Sequence, residues 1–195
     1  TDCHKFIAYF QAFTNTYAPV EYLEKIFYEA ISDPSVCVLS IGTRTDCFND
    51  EIYDLLSRLN NIKPVWIELG LQSIHQSTLD AMNTHTKVSD FTVVCNELNK
   101  RSIKVIAHLI LGLPGETKEM MLESVDFAAK SNIFGIKLQL LHVLRNTKLA
   151  ELYEKDPFPL FSLEEYCDFI EDCIERLPPG MVIHRMTGAS PRTLL

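Results

Sequence analysis

Six runs of apolar, β-branched and aromatic residues alternate with amphipathic stretches, and this alternation limits what the chain can fold into. The runs cover residues 6–11, 36–43, 65–72, 104–111, 135–143 and 181–186. Each is close to continuously hydrophobic, the mark of a strand buried on both faces. Between them, Val20, Leu23, Phe27 and Ile31 form a helical stripe behind Pro19, a residue suited to the first helical position. Ile52, Leu55, Leu56 and Leu59 form the next, then Phe91, Val94, Cys95 and Leu98, then Met121, Leu122, Val125 and Ala129. The best-marked helix opens at Ser162 with Glu165 three residues on, a capping box, and stops at Pro178-Pro179-Gly180. Strand–helix repetition with doubly buried strands predicts a parallel sheet with right-handed crossovers.

Two architectures meet that demand: an open doubly wound sheet, and a barrel or partial barrel with its helices outside. A complete eight-fold barrel takes about 250 residues. Six units in 195 residues therefore predict an α/β fold built as a partial (βα) TIM-like barrel. Residues 156–161, with two prolines, form the only linker-like stretch, so 1–195 reads as a single domain. The chain opens on Thr1 and closes on the apolar Leu194 and Leu195, from which we expect an excised core truncated at its N-terminal unit.

Charge and cysteine usage narrow the function. A net charge of −8 repels a phosphate backbone on average and disfavours an autonomous nucleic-acid module. No apolar run approaches the roughly 18 residues needed to span a bilayer, and no signal peptide opens the chain. The six cysteines, at 3, 37, 47, 95, 167 and 173, contain no Cys-x-x-Cys. That is a poor disulfide framework and a poor zinc site, and it points to a reducing, cytoplasmic setting.

In either architecture the chemistry collects at the carboxyl ends of the strands. The first strand ends at Gln11, followed by Thr14, Asn15 and Thr16, which can bind a polar ligand or simply form the turn to Pro19. The second leads into Arg44, whose planar fork suits a carboxylate or phosphate, or else a surface pair with Asp46. Cys47 beside it reads equally as a small core residue or a reactive thiol. On the third strand, alternation puts Glu68, Gly70 and Gln72 on one side and Ile67, Leu69 and Leu71 on the other. An inward Glu68 needs polar partners, unless this strand lies at an edge and is solvated. The fourth carries His108 and Ile110 into a Gly112-Leu113-Pro114-Gly115-Glu116-Thr117 turn, where glycines admit close backbone approach. The fifth carries Lys137, Gln139 and His142, the sixth His184 and Arg185. Polar residues in nearly every strand favour a ligand-binding lumen over a purely structural barrel.

These segments together resemble the radical S-adenosylmethionine (SAM) superfamily, and within it the YhcC-like group. That group is related to the radical-SAM subunit of Elongator and to oxygen-independent coproporphyrinogen oxidase. The resemblance rests on Ile7-Ala8-Tyr9-Phe10-Gln11-Ala12, Asn15-Thr16-Tyr17-Ala18-Pro19, Ser40-Ile41-Gly42-Thr43-Arg44 with Asp46-Cys47, and Glu68-Leu69-Gly70-Leu71-Gln72. It continues through residues 108–117 and Ile183-His184-Arg185 with Gly188. It implies a partial (βα)6 barrel that binds a [4Fe–4S] cluster and SAM. Reductive cleavage of SAM there yields a 5′-deoxyadenosyl radical that abstracts hydrogen from a substrate. Carried over by position, Gln11 lies near the SAM amino group, and Arg44, Glu68 and Gln72 line the mouth for its carboxylate and ribose. His108 falls at a ribose contact, and Ile110 and Gly112 offer backbone to adenine.

Three departures accompany the resemblance. The cluster cysteines of the family would precede Phe6, where this chain has only Cys3, so no cluster is expected in this fragment, which should be inactive alone. The family's Asn-Arg-Gly-His-Thr run appears as Asn83-Thr84-His85-Thr86, and its Lys-x-His as Lys137-Leu138-Gln139. The reading is a fragment of a radical SAM enzyme that in full length uses SAM, a [4Fe–4S] cluster and an external electron donor on an unknown substrate. Kinship with Elongator makes RNA one such substrate, without support from the charge. The alternative is a non-catalytic degenerate barrel that binds a nucleotide or a partner. An unrelated aldolase or phosphate-binding barrel lacks a clear Schiff-base lysine or phosphate loop.

Overall fold

The computed structural model describes residues 4–84 and 86–188. Its strands are β1 (Phe6–Phe10), β2 (Val36–Thr43), β3 (Val65–Gln72), β4 (Lys104–Leu111), β5 (Gly135–Leu140) and β6 (Val182–Arg185). Its helices are α1 (Val20–Ser32), α2 (Asp50–Asn60), α3 (Gln76–Ala81), α4 (Val88–Lys100), α5 (Lys118–Lys130), α6 (Lys148–Lys155) and α7 (Leu163–Glu175). The strands form one sheet in the order β1-β2-β3-β4-β5-β6. Sequential order decides between the two architectures. A doubly wound sheet reverses direction at a switch point, whereas here every unit adds to the same side, as in a partial (βα) barrel. Three expected strand boundaries move. β1 stops at Phe10, leaving Gln11 in the following loop, β5 stops at Leu140 rather than 143, and β6 is confined to 182–185.

The described residues fall into two compact units, 4–71 with 86–107 and 72–84 with 108–188. In the first, β1 runs parallel to β2 and β2 to β3, with Tyr9 beside Ser40, Ser40 beside Trp66 and Gly42 beside Glu68. Parallel pairing in this register sorts the side chains onto two faces. Leu39, Ile41, Ile67 and Leu69, all fully buried, share one face with Phe10. The Phe10 ring meets Phe27 of α1 edge to face at 5.0 Å, so this is the face the helices cover. Tyr9, Ser40 and Glu68 belong to the other. Leu23, Phe27 and Ile31 of α1 and Ile52, Leu55, Leu56 and Leu59 of α2 are buried, as their stripes require. Asn49 caps α2, its side-chain oxygen accepting from the Ile52 amide at 2.9 Å.

In the second unit, β5 and β6 pair in parallel, with Gly135 beside Val182. Thr117 caps α5 and Ser162 caps α7 with the full capping box, Glu165 reaching back to the Ser162 amide at 2.9 Å. Those bonds hold the Glu165 carboxyl below its ordinary pKa. Phe169 and Cys173 of α7 are buried, and Phe161 stacks on Phe169 at 5.3 Å. The stretch 156–161 reads in the sequence as a linker. Its Phe158 contacts Tyr153 of α6, and its Phe161 also meets Tyr166 of α7.

The cysteines behave as their burial dictates. Five are free among the described residues, and Cys3 lies outside them. Desolvation pushes the Cys95 and Cys173 thiols up to about 12, from an ordinary value of 9.0. A pKa raised by folding stabilises the native state below pH 9, and that contribution is lost as pH climbs toward 12. Native protein alkylated near pH 8 should therefore label the exposed Cys167 long before Cys95 or Cys173. Its urea midpoint should fall steadily above pH 9. Mass mapping of the alkylated peptides checks the first, and urea titrations across pH the second.

Candidate functional site

The polar face of β1, β2 and β3 carries a hydroxyl–carboxylate network. Glu68 is only 4% exposed. Tyr9 donates its phenol to Glu68 Oε2 at 2.6 Å, and Ser40 donates its hydroxyl to Oε1 at 2.8 Å. A carboxylate this far from water needs such donors, because an unpaired buried charge is costly. The third strand is interior in the sheet order, so the solvated-edge alternative for Glu68 does not apply. Sequence reasoning passed over Tyr9. The signal was alternation itself, which puts Tyr9 on the same side of the first strand as Gln11.

The β1–α1 loop is pinned beside this network. Asn15 donates its side-chain amide to the Phe10 and Gly42 carbonyls, both at 3.0 Å, and its backbone amide also reaches Gly42 O. Thr16 and Thr43 share a hydroxyl contact at 2.5 Å, and Thr16 donates to Cys47 O at 2.8 Å. A Cβ at Gly42 would stand 3.2 Å from Phe10 O, so glycine permits the close approach of the two strand ends. Gln11 is exposed just past the strand, and Phe13 projects fully into solvent on a backbone φ of 63°.

Arg44 is engaged by its neighbour. Its Nε and one terminal nitrogen donate to the two Asp46 oxygens at 2.9 and 2.5 Å, a bidentate pair near the surface. The hydrogen bonds raise the Arg44 pKa and lower that of Asp46. Of the two sequence readings for Arg44, the geometry is that of the surface pair. Desolvation raises the Cys47 thiol pKa, which argues against a reactive thiolate.

In the second unit, Gln72 closes β3 with a left-handed backbone, φ 62°, and its carboxamide oxygen is buried without a hydrogen-bond partner. Ser73, fully buried, donates to Glu116 of the β4–α5 turn, and the Ile74 amide donates to Ser124 Oγ of α5 at 3.1 Å. His75 Nε2 lies 2.9 Å from Met120 O. The segment after Gln72 is thus fastened to the start of α5. On β4, His108 Nδ1 lies 3.4 Å from the Gln139 amide of β5. Lys137 on the same strand is buried. Thr84 donates back to Leu79 O at 3.2 Å, while His85 lies outside the described residues.

Gly112 begins the turn with φ 91° and donates its amide to Met121 Sδ at 2.9 Å. Residues 112–118, Met121, residues 158–161 and Glu165 line a cavity of about 330 Å³. The Phe161 ring closes on Gly112, where an added Cβ would stand 3.4 Å from it. Lys118 lies 5.7 Å above the same ring. Ile110 is half-buried on β4. The structure thus gathers Glu68 with Tyr9 and Ser40, His108 with Gln139, and Gly112 with Phe161. Arg44 is drawn to Asp46, and Gln11 stays in solvent. Among the described residues no group of three His, Cys, Asp or Glu side chains could hold a metal ion. None of the described helices is long and apolar enough to cross a membrane.

Known proteins are similar to this chain in sequence and in fold. The chain is 40% identical over 191 residues to YtqA of Bacillus subtilis, covering 98% of this chain and 59% of that protein. It is 33% identical over 192 residues to YhcC of Escherichia coli K12, again 98% of this chain and 62% of the relative. It therefore spans about three fifths of the length of these relatives. Its fold matches the solved structure of archaeal Methanocaldococcus infernus Elp3 lacking residues 1–46. The TM-score is 0.85 at 21% identity, over 99% of this chain and 50% of that one. Residues 133–195 match the Radical_SAM C-terminal domain. Residues 4–128, which include every strand end from Gln11 to Gly112, match the Radical SAM superfamily, and the chain belongs to that superfamily.

Proposed function

We propose that the full-length protein binds SAM at the carboxyl ends of these strands and uses it in radical hydrogen abstraction, with electrons from an external donor. The observation that carries this reading is the Gln72 carboxamide oxygen, buried and without a partner at the end of β3. An orphaned buried acceptor costs on the order of 1–3 kcal/mol, which a ligand hydroxyl or amine recovers on binding. It sits on a strained left-handed residue, and such strain collects at ligand clamps.

The residues present are of the types that the polar groups of SAM require. The resemblance assigns Gln72 and His108 to ribose, Gln11 to the amino group, and Glu68 to the carboxylate and ribose. Ile110 and Gly112 offer backbone edge to adenine, the glycine making room. Arg44 reaches a ligand carboxylate by exchanging Asp46 for it. When bound, SAM supplies the carbon radical that takes hydrogen from a substrate. The [4Fe–4S] cluster does not fit the described residues, which lack a ligand set. We assign its ligands to none of the described residues and expect residues 1–195 alone to be inactive.

The test is anaerobic reconstitution of the full-length protein with iron and sulfide, followed by assay of 5′-deoxyadenosine. Formation from the full-length protein and none from residues 1–195 is the expected result. Gln72→Ala in the full-length protein should weaken SAM about tenfold in equilibrium dialysis. SAM affinity unchanged by this substitution removes Gln72 from the site. A full-length protein that binds SAM but never cleaves it supports the non-catalytic binding module instead.

A further inference from the structure

In the network on the polar face, two members are sealed and one is not. Ser40 is 2% exposed and Glu68 4%, whereas Tyr9 is 37% exposed. A carboxylate so enclosed has little surface left for a ligand, and of these three side chains the tyrosine offers the most. The phenol is tied at its hydroxyl end by a 2.6 Å bond to Glu68, and Ser40 fixes the other carboxylate oxygen. Two consequences follow from that bond. It holds the ring in place, removing rotamer freedom that binding would otherwise have to remove. It also draws the phenol proton toward the carboxylate, which raises electron density on the ring and makes its face more negative.

An electron-rich, held aromatic face is a receptor for a cation that has no N–H to donate. A sulfonium is such a cation, and aromatic rings receive onium groups in this way. We propose that Tyr9 is a specificity-determining residue that receives the charged sulfur of SAM, and that Glu68 acts through it as a positioning residue. This rests on the SAM reading given above. It assigns a role to a residue outside the set read from the sequence, and it predicts a charge preference that the reading alone does not. S-adenosylhomocysteine differs from SAM by the sulfur's methyl group and charge, so the ratio of the two affinities isolates that preference.

Both dissociation constants are measured on the full-length protein by equilibrium dialysis, with thermal melts as a check on folding. The wild type should favour SAM. Tyr9→Leu removes the ring and should lower the preference about tenfold. Tyr9→Phe keeps the ring but loses the tether, and should weaken both ligands together while keeping most of the preference. Glu68→Gln leaves a neutral acceptor for the phenol. It should lower the preference about threefold when Tyr9 is present, and not at all in the Tyr9→Leu background. A purely structural Tyr9 would change stability and both affinities alike without moving their ratio. An unchanged ratio in Tyr9→Leu overturns the proposal, as does a Glu68→Gln effect of equal size with and without the ring. If Tyr9→Leu does not fold, an unchanged ratio in Glu68→Gln overturns it just as well. A wild-type protein that binds neither ligand instead removes the SAM reading on which the proposal stands.

Discussion

Phe169→Ala should lower the unfolding free energy by about 4 kcal/mol, the cost of removing a large, fully enclosed aromatic from a core. Phe169 lies on the buried face of α7, 1% exposed, among Tyr166, Ile170 and Cys173. Its ring stacks on Phe161, interplanar angle 27°, so the deletion also strips Phe161 of its support. Phe161 is the wall that closes on Gly112, and Gly112 begins the turn proposed to face adenine. The variant should therefore lose both stability and SAM affinity. Leu at the same position should recover most of the stability, because it refills much of the volume. Urea denaturation of the full-length protein measures the first, and equilibrium dialysis the second. A loss below about 1.5 kcal/mol would mean that α7 is not seated as described.

Gly135→Ala should cost about 3 kcal/mol for a different reason, overpacking where nothing can yield. A Cβ there would stand 2.7 Å from the Val182 carbonyl oxygen and 2.6 Å from His184 Cδ2. The imidazole can rotate, but the carbonyl belongs to the backbone of β6, beside Gly135 in the parallel register. Relief requires β6 to move off β5. Amide hydrogen exchange should show this as faster exchange of Ile183 and Arg185, the β6 residues beside Ile136 and Lys137. Exchange unchanged in β6 would overturn this account of why glycine occupies position 135.

Much of this fold was legible in the sequence, and the reasons are physical. β2, β3 and β4 were bounded correctly because strands buried on both faces leave uninterrupted apolar runs. α1, α2, α4, α5 and α7 were marked because each buries one stripe. α3 and α6 were not marked. α3 is six residues long with only Thr78 and Leu79 buried, and α6 buries no residue, so neither leaves a stripe to find. The residues 141–143 look like strand but lie past the end of β5, where Leu141 donates its amide to Leu111 O.

The candidate site was less legible, because a polar side chain's role depends on which neighbour the fold supplies. The sequence indicates that Glu68 requires partners but does not identify them. Ser40 lies 28 residues away and Tyr9 59. Arg44 had two readings, and the sequence alone does not show that Asp46 takes up both arms of its fork. The Gln139 amide meets His108, a contact that neither strand's pattern reveals.

The two-faced sorting along β2 and β3 has an evolutionary corollary. Leu39, Ile41, Ile67 and Leu69 alternate with Ser40, Gly42 and Glu68, so adjacent positions in the chain answer to different selective pressures. Substitutions at Leu39, Ile41, Ile67 and Leu69 tax foldability, whereas those at Ser40 and Glu68 retune the polar network. A lineage built this way can diversify its chemistry while its scaffold stays nearly still.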